Sequence, residues 1–132
     1  GLDVVSFPSL TLRQIVEISK SEKRTILTGS RNLLKLKDVT HGILLRPGTT
    51  IERVRYVLDF LSLEDRIKPF SRCLLCNTAL EKIPKENVYH RIPLKTRAVC
   101  DEYSYCRSCD KLFWKGTHYV KLKAVMEKIL NP

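Results

Sequence analysis

Apolar residues recur at Leu12, Ile15, Val16 and Ile18, a spacing that predicts a helix over residues 11–23 with Ser9 or Thr11 as its cap. A second stripe of Ile51, Val54, Val57, Leu58 and Leu61 predicts a helix that starts from Thr49 or Thr50 and runs to about residue 63. Elsewhere in this half the apolar residues come in short unbroken runs, at 2–7, 24–28 and 41–46. Each run ends at turn formers: Pro8, Gly29-Ser30 and Pro47-Gly48. These read as strands, with a short helix or turn at 32–37. The runs do not alternate apolar with polar, as in a parallel sheet covered on both faces, so the fold class is α/β. Near Pro69 the helical period disappears among cysteines, prolines and turn residues, and returns only over 118–130. The expected division is an α/β unit over 1–69 and a second unit over 70–132. Three strands are few for a sheet, and the chain opens on one of them. The expectation is a piece of a longer protein, with a further strand upstream.

Composition narrows the partners. At 132 residues and 43% hydrophobic content the chain can bury a core, which argues against disorder as its main state. No apolar run is long enough to span a membrane, and the first ten residues lack a basic leader, which predicts an intracellular protein, cytoplasmic or nuclear, rather than a secreted one. The 24 Lys and Arg against 14 Asp and Glu give a net charge of +10. The excess is +4 over residues 1–70 and +6 over 71–132, so it is a property of the surface and not of a tail. Such a field attracts polyanions, nucleic acid first.

Four of the five cysteines form two pairs, Cys73-Leu74-Leu75-Cys76 and Cys106-Arg107-Ser108-Cys109, separated by 29 residues. A CxxC turn sets two thiolates at adjacent corners of a tetrahedron, and two such turns complete a closed Cys₄ site for structural Zn²⁺. A β-hairpin with an excursion fits the interval. Cys100 is then a spare thiol. It, His90 and His118 are the alternative ligands.

Three runs carry a resemblance. Phe70-Ser71-Arg72-Cys73-Leu74-Leu75-Cys76-Asn77, Cys106-Arg107-Ser108-Cys109-Asp110-Lys111 and Phe113-Trp114-Lys115-Gly116-Thr117-His118 together are similar to the C-terminal domain of the mutator (mut-seven type) exoribonucleases, a domain also found in stand-alone bacterial proteins. The resemblance implies a partial PIN-like parallel sheet with flanking helices, followed by a Cys₄ zinc ribbon and a C-terminal helix. It also implies a 3′–5′ exoribonuclease domain in the same polypeptide. PIN-like nucleases hold divalent metal with clustered acids, which orient water for phosphodiester attack. Here Ser30, in Leu27-Thr28-Gly29-Ser30, stands where the family places one of those acids, and no acid stands near Thr11. Asp3, Asp38, Asp59 and Asp65 do not fall in a convergent pattern, so the expected nuclease site is degenerate.

The function expected from these readings is that of an accessory domain, not an enzyme by itself, which binds single-stranded RNA through a basic surface. Candidate contacts are Arg72, Lys82, Lys85, Arg91, Lys95, Arg97, Arg107, Lys111, Lys115, Lys121 and Lys123, with His118. Tyr89, Tyr103, Tyr105, Phe113, Trp114 and Tyr119 lie among them as stacking surfaces. Each also has a structural reading: Phe113 and Trp114 as packing for the zinc loop, His118 as a helix or ribbon contact, and the lysines of 118–130 as a solvated face. Two other functions stay open. One is a module on the α/β half that docks a protein partner in an RNA-silencing or RNA-decay complex; the other is a metal-dependent PIN-like ribonuclease.

Overall fold

A computed structural model describes residues 1–6 and 8–131. The chain forms two compact units. One is Val5–Leu63; the other joins Gly1–Val4 to the chain from Glu64 onward.

In the Val5–Leu63 unit the order is α1 (Leu12–Glu22), β1 (Ile26–Thr28), α2 (Arg31–Leu34), β2 (Gly42–Leu44) and α3 (Thr50–Leu61). Both long helices start at capping boxes. Gln14 N–H donates to Thr11 Oγ1 at 3.3 Å while Thr11 N–H donates back to Gln14 Oε1 at 2.9 Å. Thr49 and Glu52 repeat the arrangement at 3.3 and 2.7 Å. Both end on a left-handed residue, Lys23 and Ser62, which turns the chain without a glycine. β1 and β2 pair in parallel, Leu27 opposite Ile43, and Ile26, Leu33 and Val16 close the core beneath them.

One expectation fails here. Residues 2–6 of the first expected strand are not in a strand, and Phe7 lies outside the described residues. The backbone of Leu2 and Val4 is taken up by a side chain instead: Val4 N–H donates to Asn77 Oδ1 at 2.8 Å, and Asn77 Nδ2 donates to Leu2 O at 3.2 Å. The parallel pair has a buried side chain on each face, Ile26 on one and Ile43 on the other, while Leu27, beside Ile43, is 43% exposed.

The other unit carries a three-stranded antiparallel sheet of β3 (Glu81–Ile83), β4 (Tyr103–Cys106) and β5 (Lys111–Trp114), with β4 in the centre. Between β3 and β4 the chain makes two short helices, α4 (Lys85–Val88) and α5 (Leu94–Arg97). This excursion supplies Val88 and Ile92, which pack with Tyr103, Ile83, Leu112 and Trp114 on one face of the sheet. The 14-residue α6 (Thr117–Leu130) follows β5. Among the described residues no helix is long and apolar enough to cross a membrane.

Candidate metal centre

The two CxxC turns are built alike. In the first, Asn77 N–H donates to Cys73 O at 3.0 Å and Cys73 N–H to Thr78 O at 2.8 Å, while Leu75 N–H lies 3.4 Å from Cys73 Sγ. In the second, Cys106 ends β4 and stands opposite Lys111 at the start of β5, so the turn is the hairpin itself. Each turn closes on the residue after its second cysteine, Asn77 at φ 60° and Asp110 at φ 52°. Asn and Asp tolerate this left-handed conformation better than other side chains with a Cβ.

The four thiols converge. Cys73 Sγ lies 3.4 Å from Cys109 Sγ, and Cys76 Sγ lies 3.4 Å from Cys106 Sγ and 3.8 Å from Cys109 Sγ. All ligand atoms fall within 4.8 Å of one another. Sulfurs at the corners of a tetrahedron with bonds of about 2.3 Å sit about 3.8 Å apart, so the cluster fits a single metal ion. Among the described residues it is the one group of three or more His, Cys, Asp or Glu side chains that could share a metal. The expected spare residues stay outside it: Cys100 packs against the core of its unit, and His90 and His118 are exposed.

The thiols are electrostatically unlike. The Thr78 hydroxyl and N–H favour the thiolate of Cys76 and hold its pKa down at about 6. Desolvation pushes the Cys109 thiol up, to about 12. Four thiolates this close repel one another, so full ionisation requires a cation among them.

Several candidate RNA contacts turn out to hold this scaffold together. Arg72 Nη1 donates to Asn77 O at 2.7 Å and pairs with Asp3 at 3.2 Å. Arg91 donates to both Oδ1 and the backbone O of Asp110 at 2.8 Å each, and Tyr105 OH donates to Asp110 Oδ1 at 2.7 Å. Lys85 Nζ donates to Arg97 O and pairs with Asp101, both at 2.7 Å. Arg97 donates to Ile92 O at 2.8 Å and lies 4.2 Å over the Tyr89 ring. Arg107 pairs with Glu81 at 2.9 Å, and Lys115 pairs with Glu102. Lys123 lies 3.8 Å from Glu127. Trp114 is half-buried, its ring 6.4 Å from that of Tyr103. Lys82, Lys95, Lys111, His118 and Lys121 are exposed, and none of them forms a salt bridge among the described residues.

Sequence reasoning missed Asn77 and Asp110 as functional parts of the centre. The signal was present, because both CxxC pairs are followed directly by one of the two residue types suited to the left-handed turn.

The acids considered for a nuclease site have other surroundings. Asp38 pairs with Lys20 at 2.9 Å, and Asp59 lies exposed on α3. Ser30 caps α2, accepting a hydrogen bond from Leu33 N–H at 3.4 Å.

A family model described as the Mut7-C RNAse domain matches residues 1–126. Neither a curated protein nor a solved structure matches the chain.

Proposed function

Because the chain belongs to the Mut7-C RNAse domain family, we propose that it is an RNA-binding accessory domain of a 3′–5′ exoribonuclease, with Zn²⁺ as a structural metal and a degenerate PIN-like site. The observation that carries this reading is the family match over residues 1–126, read together with a net charge of +10. Cys73, Cys76, Cys106 and Cys109 would hold zinc. Four soft thiolates in tetrahedral reach suit that ion, and a closed set leaves no position for water, so the metal would supply rigidity rather than a nucleophile.

The exposed cations supply the RNA contact. Lys82, Lys95, Lys111 and Lys121, which no salt bridge among the described residues occupies, meet phosphates and release counterions. The degenerate nuclease site is supported by Ser30, whose hydroxyl caps α2 where a carboxylate would be needed to hold Mg²⁺. The test is a titration of the zinc-loaded protein with labelled single-stranded RNA at two salt concentrations, with Mg²⁺ present and the products resolved on a gel. The expected outcome is binding that weakens with salt, at a slope of about −0.7 per phosphate contacted, with the RNA intact. Absence of binding would overturn the reading. RNA shortened by a rigorously purified protein would replace it with the ribonuclease reading.

A second reading, a protein dock on the Val5–Leu63 unit, has one observation in its favour. On α3, Phe60 is 61% exposed and its ring packs at 5.8 Å against Tyr56. An apolar dock of this kind would bind its partner with little dependence on salt.

A further inference from the structure

The β3–β4–β5 sheet has two unlike faces. Ile83, Tyr103 and Trp114 form one cross-strand row, and with Leu112 this face is closed by Val88 and Ile92. The neighbouring row, on the opposite face, is Lys82, Ser104 and Phe113. That row opens into a cavity of about 590 Å³, walled by Phe70, by Tyr119 and Leu122 of α6, and by His118. The cavity lies wholly within the zinc-bearing unit. Its volume is in the range of about 300–1,000 Å³ used by small-molecule sites.

We propose that this face binds one unpaired nucleotide of an RNA strand, with the base stacked on Phe113 and the phosphate held by Lys82 and His118. The inference rests on the RNA-binding reading and deepens it by assigning the site. Three features favour this occupant over an apolar peptide. The floor combines an aromatic ring with a hydroxyl and an ammonium group in one row, which matches a π-face, a polar base edge and a phosphate. Of the cations in the lining, Arg72 is paired with Asp3 and Lys115 with Glu102, which leaves the charge of Lys82 without a salt bridge among the described residues, so the lining favours an anion. Phe70, at the rim, sits at φ 56° with its ring 4.3 Å from that of Tyr119. A bulky residue in the left-handed region is strained, and such strain collects at binding sites. The base must be unpaired, because a base inside a duplex has no free face to offer.

The test compares the full chain with Phe113→Leu and Lys82→Ala, using a short labelled oligouridylate, alone and annealed to its complement. Zinc content and thermal melting confirm folding. Phe113→Leu should weaken binding of the single strand about five- to 150-fold with the salt slope unchanged, and should leave binding of the duplex as it was. Lys82→Ala should weaken binding of the single strand and lower the salt slope by about 0.7. If the Phe113 variant fails to fold, exposed Lys82→Glu carries the test, and its affinity should fall further than that of Lys82→Ala. Wild-type affinity in the folded variants would overturn the assignment of the site while the RNA-binding reading stands. Failure of the wild-type chain to bind any RNA would overturn both.

Discussion

Asn77 does three jobs with one side chain. It takes the left-handed turn after Cys76, accepts from Val4 N–H, and donates to Leu2 O. Asn77→Ala should therefore lose more than the roughly 1–2 kcal/mol of left-handed strain, because the Leu2 and Val4 contacts go with it. Asn77→Gly should recover only the strain. Chemical denaturation separates the contributions: the gap between the two variants is the strain, and an Asn77→Gly variant as stable as wild type would show that the amide contacts add nothing. Gly116 is needed for a different reason. A Cβ there would stand 2.9 Å from Trp114 Nε1 and 3.2 Å from Cδ1. The indole is rigid and half-buried, so Gly116→Ala should displace it, shift its fluorescence and cost on the order of 1–3 kcal/mol. Unchanged emission and stability would mean the ring has room to move. Ser30 has a local role that needs no charge. Asp and Ser cap helices about equally well, so serine keeps α2 in place without a charge.

At the level of elements, caps decide where the helices begin. Ser9 and Thr11 are both plausible caps in sequence, as are Thr49 and Thr50, yet only Thr11 and Thr49 have a partner three residues on that returns the hydrogen bond. The Thr49 backbone N–H, then its hydroxyl, hold the Glu52 carboxyl below its ordinary pKa. A lowered folded-state pKa means stability that is present above the unfolded value and lost as the pH falls through the folded one. The wild-type protein should therefore lose thermal stability between roughly pH 5 and 3 more steeply than Glu52→Gln. Parallel pH profiles for the two proteins would remove this role from Glu52. Thr49→Ala, which deletes the other half of the box, should cost about 0.5–2 kcal/mol at neutral pH.

For the whole unit that carries the four-cysteine cluster, the balance would depend on the metal. Among the described residues the core cluster on its sheet contains three buried side chains, Val88, Ile92 and Tyr103. Structural zinc binds small folds with about 10–16 kcal/mol of apparent free energy, comparable with or above the entire net stability of about 5–15 kcal/mol typical of a domain. Chelation, or Cys106→Ser at the most deeply buried ligand, should therefore abolish amide-exchange protection across β4 and β5. Retained protection in the chelated protein would show that the fold does not need the metal.

Much of this was legible in one dimension because it depends on local rules. Helix period and capping residues located α1, α3 and α6 to within a residue or two. The two CxxC pairs marked the four thiols that converge, because ligand spacing within a turn is a short-range property. Long-range competition for backbone groups was hidden. Residues 2–6 have strand-forming side chains, but Asn77 claims their hydrogen bonds from more than seventy residues away. Hidden too was the sorting of cations. In sequence Arg72, Lys85, Arg91 and Arg107 look like Lys82 and Lys111, and only the folded chain places carboxylates beside the first four. Residue type and spacing determined the elements and the thiol cluster, since both are written within a few residues. Which charges remain open and which sheet face stays uncovered were decided by tertiary structure alone, because each depends on partners distant in the chain.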